Sequence, residues 1–402
     1  MAELERKEAQ PPGGSAGPFR APPASAAGTG AEFRRHARGV LSDVARQVGW
    51  VTRPAAGTGD DHNREVRRAF DVELWRRGWA GLAVPAAYGG AGRTLAELAI
   101  FSEESAALGV STPFNRVALG IVLPALLLQA TEPQKVRFIP RLLSCQDIWC
   151  QGFSETEAGS DLASLRTSAV LEAGQWIVSG NKVWTTLAHE ADRCLLLVRT
   201  DNGGRKHEGI TALMVEMKQP GVSVRPITQM NGSRDFAEVT FTQATAPEDA
   251  VLGAVGNGWR VAMAALSYER SLHLLQRQLR LSQMAEELRR CVDWSAQPAD
   301  CSSQMLDVSI AVRGLSSAVQ QQLRVIDAGD QVGVEANASK VVWSETYQKL
   351  ARLGLQLALR QAGPDLRSWT EEYYSSLATS IYAGTNEIQR TIVGERGLGL
   401  PR

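Results

Sequence analysis

The spacing of apolar residues changes twice along the chain and divides it into three parts. Over residues 31–145 apolar residues recur three and four positions apart, which is the spacing of amphipathic helices. Over residues 146–256 the period falls to two, in short β-branched or aromatic runs separated by Gly, Asn, Asp and Pro. The helical spacing returns over residues 257–402. The pattern predicts a mainly α fold with a central β-domain between two helical domains.

Five runs in the middle part carry the strand pattern. They are QWIVSGNKVWTTL (175–187), DRCLLLVRTD (192–201), ITALMVEM (210–217), VSVRPI (222–227) and FAEVTFTQA (236–244). Turn-forming residues separate them, so we expect an antiparallel meander or barrel in which consecutive runs are neighbours.

Other local signals mark where these elements begin and end. Residues 1–30 are dominated by Pro, Gly, Ala and Ser, and we expect them to form a disordered leader. Thr94 is the expected N-cap of a helix. The glycine-rich runs at 88–92 and 253–258 are interpreted as turns, because no GxGxxG motif follows a strand and opens a helix.

Composition narrows the class of protein. Lys plus Arg and Asp plus Glu both number 43, so no net charge favours nucleic acid or an anionic membrane. The five cysteines are scattered and never spaced CxxC, which argues against a disulfide framework and a zinc site and suits a reducing cytoplasm. No apolar run approaches the roughly 20 residues of a membrane span. We expect a soluble cytoplasmic enzyme without a metal.

Two stretches of the middle part carry candidate chemistry. In residues 150–169, Ser154, Ser160 and the glycines offer hydroxyls and exposed amides on which a planar or phosphorylated ligand could lie, although a solvated loop would look the same. In the next strand Trp184 precedes two threonines. An indole beside hydroxyl donors suits an aromatic ligand, but a packed strand tryptophan is the commoner explanation.

A third candidate stretch, SIYAGTNEIQRTIVGER, spans residues 380–396. It predicts a turn followed by the start of a helix, with Gly384, Thr385 and Glu387 near the helix N-terminus. Ala383 stands where a reactive side chain would be expected, so the stretch poses the question of which residue does the chemistry.

These stretches together resemble the acyl-CoA dehydrogenase flavoenzyme family. The motifs that carry the resemblance are residues 153–169, 176–186, 236–241, 252–270 and 381–390, in that order, and the similarity runs from about residue 32 to the end. It implies an N-terminal helical domain, a central β-domain and a C-terminal four-helix bundle. It also implies bound FAD, α,β-dehydrogenation of an acyl thioester and transfer of electrons to an electron-transferring flavoprotein.

The resemblance also assigns expected roles to residues. The expected FAD contacts are Phe153, Ser154, Ser160, Trp184, Thr185, Thr186, Gly384, Thr385 and Glu387. The expected substrate contacts are Ser160, Ser267, Tyr268, Arg270 and the backbone amide of Ala383.

The expected catalytic base is Glu269. Many relatives carry the base at the position of Ala383, but a minority, including isovaleryl-CoA dehydrogenase, carry it on the first long C-terminal helix just before an arginine, here Arg270. If residues 258–292 form one helix, Glu269 shares a face with apolar residues, which would raise its pKa. These residues are Ala262, Ala265, Leu266 and Leu272, with His273 one turn further on.

Two departures from the family pattern bear on assembly. Relatives commonly carry Arg-x-x-Phe-Gly and Gly-Gly-x-Gly-Tyr segments that hold FAD of an adjacent subunit, and residues 289–301 and 357–369 lack both. We therefore expect either a homo-oligomer or a heteromer with a second dehydrogenase subunit. The alternatives are a flavin monooxygenase or oxidase of the same fold, or a non-catalytic partner subunit. The acyl group, whether branched, cyclic or a steroid side chain, and its carrier, CoA or acyl-carrier protein, stay open.

Overall fold

A computed structural model describes residues 30–50, 64–110, 113–269, 272–328, 330 and 332–401; the side chains of 267–269, 272 and 273 lie outside the description. The expected leader, residues 1–30, is outside these ranges except for Gly30, where the first helix begins.

The first part of the chain is helical, as its apolar spacing predicts. Its helices are α1 (Gly30–Gln47), α2 (Arg64–Arg76), α3 (Leu95–Ala107), α4 (Leu123–Gln129) and α5 (Glu132–Leu143). The N-cap prediction for Thr94 is confirmed, because its hydroxyl accepts the N–H of Glu97 while the Glu97 carboxylate accepts the N–H of Thr94. A π-helical turn, Ala118–Val122, leads directly into α4. Such turns are frequent at functional sites.

The middle part is a seven-stranded sheet. Its strands are β1 (Trp149–Gly152), β2 (Ser168–Glu172), β3 (Gln175–Thr186), β4 (Arg193–Arg199), β5 (Ile210–Glu216), β6 (Val222–Ile227) and β7 (Phe236–Pro247). All five predicted strand runs are confirmed. The glycine-rich runs at 88–92 and 253–258 lie in turns and a short 3-10 segment, apart from Gly258, which begins the next helix.

The expected meander pairing is confirmed for β4 with β5 and for β6 with β7, but it is wrong for β3 with β4 and for β5 with β6. β3 pairs with β2 and with β7 instead of β4, and β4 lies parallel to β1 and antiparallel to β5. The reason is that β4 is buried on both faces. Leu195 and Leu197 pack with the helices, whereas Leu196 and Val198 pack with the far strands of the curled sheet. The strand is therefore covered by a layer on each face, and it lies between β5 and the short strands β1 and β2.

The last part is again helical. Its helices are α6 (Gly258–Glu269), α7 (Leu272–Cys291), α8 (Ala299–Asp327), α9 (Glu335–Leu359), α10 (Leu366–Leu377) and α11 (Asn386–Ile392). α7 to α10 share one core, which confirms the expected four-helix bundle. α6 instead packs with the π turn, α4 and the sheet, through the fully buried Val261, Ala262 and Ala265. No helix within the described ranges is long and apolar enough to cross a membrane.

Candidate functional site

The end of β3 carries an irregularity that presents Trp184. The pairing of β3 with β7 shifts register between Lys182 and Thr185, so the strand bulges there. Trp184 takes a φ of 60° in this bulge and its side chain is 57% exposed, with its edge against Phe236 at 6.1 Å between ring centroids. A left-handed conformation at a bulky residue costs about 1–3 kcal/mol and concentrates at functional sites. The indole is therefore not packed in the core and is accessible to a ligand.

The bulge is tied to the loop that precedes it in the sequence. The N–H of Val183 donates to the carbonyl of Ser154 at 2.9 Å. Lys182, whose side chain is fully buried, donates to the carbonyl of Phe153 at 3.1 Å and to the carboxylate of Glu155 at 2.8 Å. The structure thus brings together the Ser/Gly-rich loop and the tryptophan strand, which the sequence analysis singled out separately.

Lys182 and Glu155 form an ion pair at neutral pH. Burial lowers the pKa of Lys182 to about 8, and the charge of Glu155 opposes that shift. Burial acts to raise the pKa of Glu155, but Lys182 and the N–H groups of Arg166 and Thr167 outweigh it, so this pKa lies below its usual value. Both residues are charged at pH 7. Their pairing fixes the loop against β3 because neither charge can be left alone in the interior.

The other predicted residues of this group differ in exposure. Thr185 is buried, and its hydroxyl has no hydrogen-bond partner in the part of the chain that the structure describes. Thr186 and Ser154 are half-buried, and Ser160 is exposed. The ring of Phe153 lies in the core, so this residue reaches the site through its main chain.

The C-terminal stretch carries a second group of predicted residues. Ala383 and Gly384 both take left-handed conformations, with φ of 57° and 83°. The fully buried Lys340 of α9 donates to the carbonyl of Gly384 at 2.8 Å and to the side chain of Asn386 at 2.9 Å. Gln389 donates to the carbonyl of Ala383 at 3.1 Å. Two consecutive left-handed residues held by buried donors form a main-chain turn whose amides have a set direction.

The two remaining residues predicted in this stretch lie at the start of α11. The hydroxyl of Thr385 accepts the N–H of Ile388 at 3.2 Å, which makes it the N-cap and leaves its own hydrogen free to donate. Glu387 is exposed in the first turn of the helix.

The predicted residues around the base are not described in the same detail. The backbone of Ser267, Tyr268 and Glu269 forms the last turn of α6, but their side chains lie outside the described residues, as does Arg270 entirely. The single helix expected over 258–292 is described as α6 ending at Glu269 and α7 beginning at Leu272. The role of Glu269 stays a prediction.

Two surface cavities lie away from these residues. One of about 310 Å³ lies between α5 and the sheet, lined by residues such as Arg137 and Phe138, and one of about 550 Å³ lies against α1 and α2. Neither includes a predicted site residue. The features that mark the candidate site are the strained main chain and the exposed indole.

Sequence reasoning missed the two buried lysines. Lys182 follows Trp176 and Val178 on the inward face of β3, and Lys340 falls between Ala336 and Trp343 on the buried stripe of α9. A lysine at an apolar position of a periodic pattern was the available signal, because a buried cation needs a partner.

Comparison with known proteins shows the family to which the chain is similar along nearly its whole length. Models of the acyl-CoA dehydrogenase N-terminal, middle and C-terminal domains match residues 37–146, 150–244 and 256–398. The chain is 36% identical over 380 residues to acyl-CoA dehydrogenase IpdE1 of Mycobacterium tuberculosis, covering 92% of this chain and 98% of that one.

Two solved structures that are similar along nearly the whole chain are two-component assemblies. The Tcur3481-Tcur3483 steroid ACAD superposes with a TM-score of 0.77 at 26% identity, covering 93% of this chain and 97% of that one. The ChsE4-ChsE5 complex from Mycobacterium tuberculosis gives a TM-score of 0.77 at 27% identity, covering 94% and 99%.

Proposed function

The chain belongs to the acyl-CoA dehydrogenase family, and we propose that it catalyses the FAD-dependent α,β-dehydrogenation of an acyl thioester. The observation that carries the proposal is the strained β3 bulge, which presents the indole of Trp184 beside Thr185 and Thr186. An exposed aromatic face next to hydroxyl and main-chain donors fits a planar, polar ring system.

The residues present fit FAD, which members of this family bind. In the proposal Trp184, Thr185 and Thr186 hold its ring, together with the main chain of Phe153 and the hydroxyls of Ser154 and Ser160. Gly384, Thr385 and Glu387 complete the contacts from the C-terminal turn. When bound, FAD supplies the two-electron acceptor for the β-hydride.

In the proposal, residues of this chain make the α-proton of the substrate more acidic. That proton is a poor acid until the thioester carbonyl is polarised, so a fixed donor on the developing enolate oxygen is needed. The amide of Ala383 is the proposed donor, because its left-handed turn is held by Lys340 and Gln389. Ser160, Ser267, Tyr268 and Arg270 are the further proposed substrate contacts.

Glu269 is the proposed base. Position 269 lies seven and four residues after Ala262 and Ala265, so helical spacing places it on their face, and both are fully buried. A carboxylate next to such a face has a raised pKa, which makes it a stronger base.

Replacing the base tests the proposal directly. With the purified flavoprotein mixed anaerobically with an acyl-CoA, we expect Glu269→Gln to keep its flavin but to bleach about 10²–10⁴-fold more slowly, because Gln keeps the shape and loses the base. The matched control is Glu172→Gln, at an exposed position at the end of β2. Unchanged bleaching in Glu269→Gln would exclude Glu269 as the base.

We further propose that the chain works in a heteromer and passes its electrons to an electron-transferring flavoprotein. Residues 289–301 and 357–369 lack the family motifs that hold FAD of a neighbouring subunit, and the two solved assemblies above contain two different components. A homo-oligomer is the alternative. A branched, cyclic or steroid-derived acyl group, on CoA or on acyl-carrier protein, is the proposed substrate class, and the similarity to a steroid ACAD supports it.

The missing motifs also favour a second candidate function, that of a non-catalytic partner subunit. It differs from the first in its cofactor. A preparation that stays colourless with and without a co-expressed second dehydrogenase subunit would support it, whereas bound flavin that an acyl-CoA bleaches supports the enzyme.

A further inference from the structure

Arg116 lies near the β3 bulge, because its ion-pair partner Asp235 directly precedes Phe236, which packs on Trp184. It begins the helical segment that runs through the π turn into α4, and its side chain is only 18% exposed. The preceding residue, Asn115, is buried and fixes this segment by donating to the carbonyls of Leu142 and Asp147 and accepting the N–H of Trp149. The position of Arg116 is therefore held rigidly by its backbone.

The guanidinium of Arg116 is poorly matched by the protein around it. Its one ion-pair partner among the described residues is Asp235, at 3.7 Å, which is too long for a hydrogen bond, and no hydrogen bond to it is found within those residues. A guanidinium has five N–H donors, and an arginine with a structural role normally places them on a carboxylate at about 2.7–2.9 Å. Burial lowers the pKa of Arg116 to about 10, so the group is still charged at neutral pH.

The surroundings of Arg116 connect it to the β3 bulge. The carbonyl of Asp235, its ion-pair partner, accepts the N–H of Leu187 directly after β3, and the next residue, Phe236, packs on Trp184. The charge of Tyr382, the residue before the Ala383 turn, also acts to raise the pKa of Arg116.

The local charges favour an oxygen acceptor as the missing partner. Arg64 and Arg67 lie near enough to disfavour the charge of Arg116, and Arg64 forms an ion pair with Glu190. A further cation would be repelled, and an alkyl chain would leave the donors of Arg116 unsatisfied at a cost of about 1–3 kcal/mol.

We propose that Arg116 binds an oxygen acceptor on the acyl group of the substrate, which makes the substrate an oxygenated acyl thioester, bearing a ketone, hydroxyl or carboxylate away from the thioester. This inference rests on the proposed dehydrogenation and names the substrate class of the same site. The CoA phosphates are a second source of acceptor oxygens, and the test separates the two.

The experiment measures kcat/KM for anaerobic flavin reduction by the full-length protein, alone and with its second subunit. The probes are octanoyl-CoA, its 4-, 5- and 6-oxo and 6-hydroxy derivatives, the mono-CoA thioester of octanedioic acid, and the cyclohexylpropanoyl and 4-oxocyclohexylpropanoyl thioesters. The variants are Arg116→Met, Arg116→Lys and the matched control Arg137→Met, an exposed arginine stacked on Phe138 5.0 Å from its ring.

We expect at least one oxygenated probe to react about 10- to 100-fold faster than its plain counterpart. Arg116→Met should remove that preference while leaving the plain thioesters within about threefold, Arg116→Lys should keep part of it, and Arg137→Met should change neither. Flavin content and melting temperature of each variant show whether it has folded.

The failures are distinguishable. If plain thioesters bleach the flavin and Arg116→Met leaves the oxygenated-to-plain ratio unchanged, the inference is wrong and the dehydrogenation stands. An equal loss for all CoA thioesters would assign Arg116 to the CoA phosphates and overturn the inference. If a flavin-loaded preparation is bleached by no probe, the proposed function fails and the inference with it. A Met variant that does not fold is replaced by the Lys variant, for which an unchanged ratio also contradicts the inference.

Discussion

A single buried carboxylate, Asp71, shapes the turn from which the Arg116 segment begins. Its oxygen accepts the N–H of Phe114 at 2.8 Å and of Asn115 at 3.4 Å. Burial raises the pKa of Asp71 to about 6, against the opposing effects of the Asn115 amide and of Arg67. The charged carboxylate of Asp71 fixes the backbone of Phe114 and Asn115, but its burial lowers the free energy of unfolding, because the interior disfavours a charge.

The stability of the fold should therefore depend on pH through Asp71. Below about pH 4 the carboxyl is protonated in the folded and unfolded states alike, and it has no differential effect. As the pH rises from about 4 to 6 the unfolded state loses its proton first, so the free energy of unfolding falls by about 3 kcal/mol and stays lower above pH 6.

The substitution Asp71→Asn keeps a side-chain oxygen that can accept the two N–H groups, and it removes the carboxyl group that titrates. Measured by urea unfolding at pH 4.5 and pH 7, the variant should gain stability relative to wild type as the pH rises, whereas the exposed Asp43→Asn should not. Parallel pH profiles for Asp71→Asn and wild type would show that the carboxyl does not titrate differently in the folded state.

At the scale of elements, the Ala383–Gly384 turn shows how the fold stores strain where the chemistry is proposed. A Cβ at Gly384 would lie 2.2 Å from the side-chain nitrogen of Gln389, and its φ of 83° disfavours any larger residue. Ala383 tolerates a φ of 57° at a cost of about 1 kcal/mol. Glycine is therefore required at position 384, whereas at position 383 a glycine would relieve backbone strain.

The pair of substitutions Gly384→Ala and Ala383→Gly tests this turn. Gly384→Ala should lower the free energy of unfolding by about 1–3 kcal/mol and slow flavin reduction, because Gln389 must move and the amide of Ala383 loses its direction. Ala383→Gly should be neutral or stabilising by up to about 1 kcal/mol, since it relieves the strain. Chemical denaturation and anaerobic reduction rates give both values; equal effects of the two changes would argue against a strained, directed turn.

At the scale of the whole molecule, residues 289–301 and 357–369 lack the two family motifs that hold FAD of an adjacent subunit, and this leads to a prediction about assembly. Purified alone, the chain should carry clearly less than one FAD, and co-expression with a second dehydrogenase subunit should give a stable mixed complex with a higher flavin content and faster reduction. Flavin absorbance per chain and light scattering after size exclusion measure both. One FAD per chain and an unchanged rate in the absence of a partner would point to a homo-oligomer instead.

The sequence by itself determined the features whose causes are local, and the family through its motifs. The change of period from helical to strand-like and back set the type of the two helical parts and of five of the seven strands, because each period reports which face of an element is apolar. The short strands β1 and β2 were not predicted. The Thr94 cap and the glycine turns were legible because their causes lie within a few residues. The family followed from five motifs in order, and with it the expected site residues.

Only the tertiary structure decided how distant segments meet. The apolar run of β4 indicated burial on both faces, but no local pattern stated that β4 lies beside β1 and β2 instead of β3. The ion pair of Lys182 with Glu155 joins strand to loop, and the contact of Arg116 with Asp235 joins a helix to a sheet more than a hundred residues later. Such pairs form because buried charges require partners, and the folded chain alone determines which partners lie within reach.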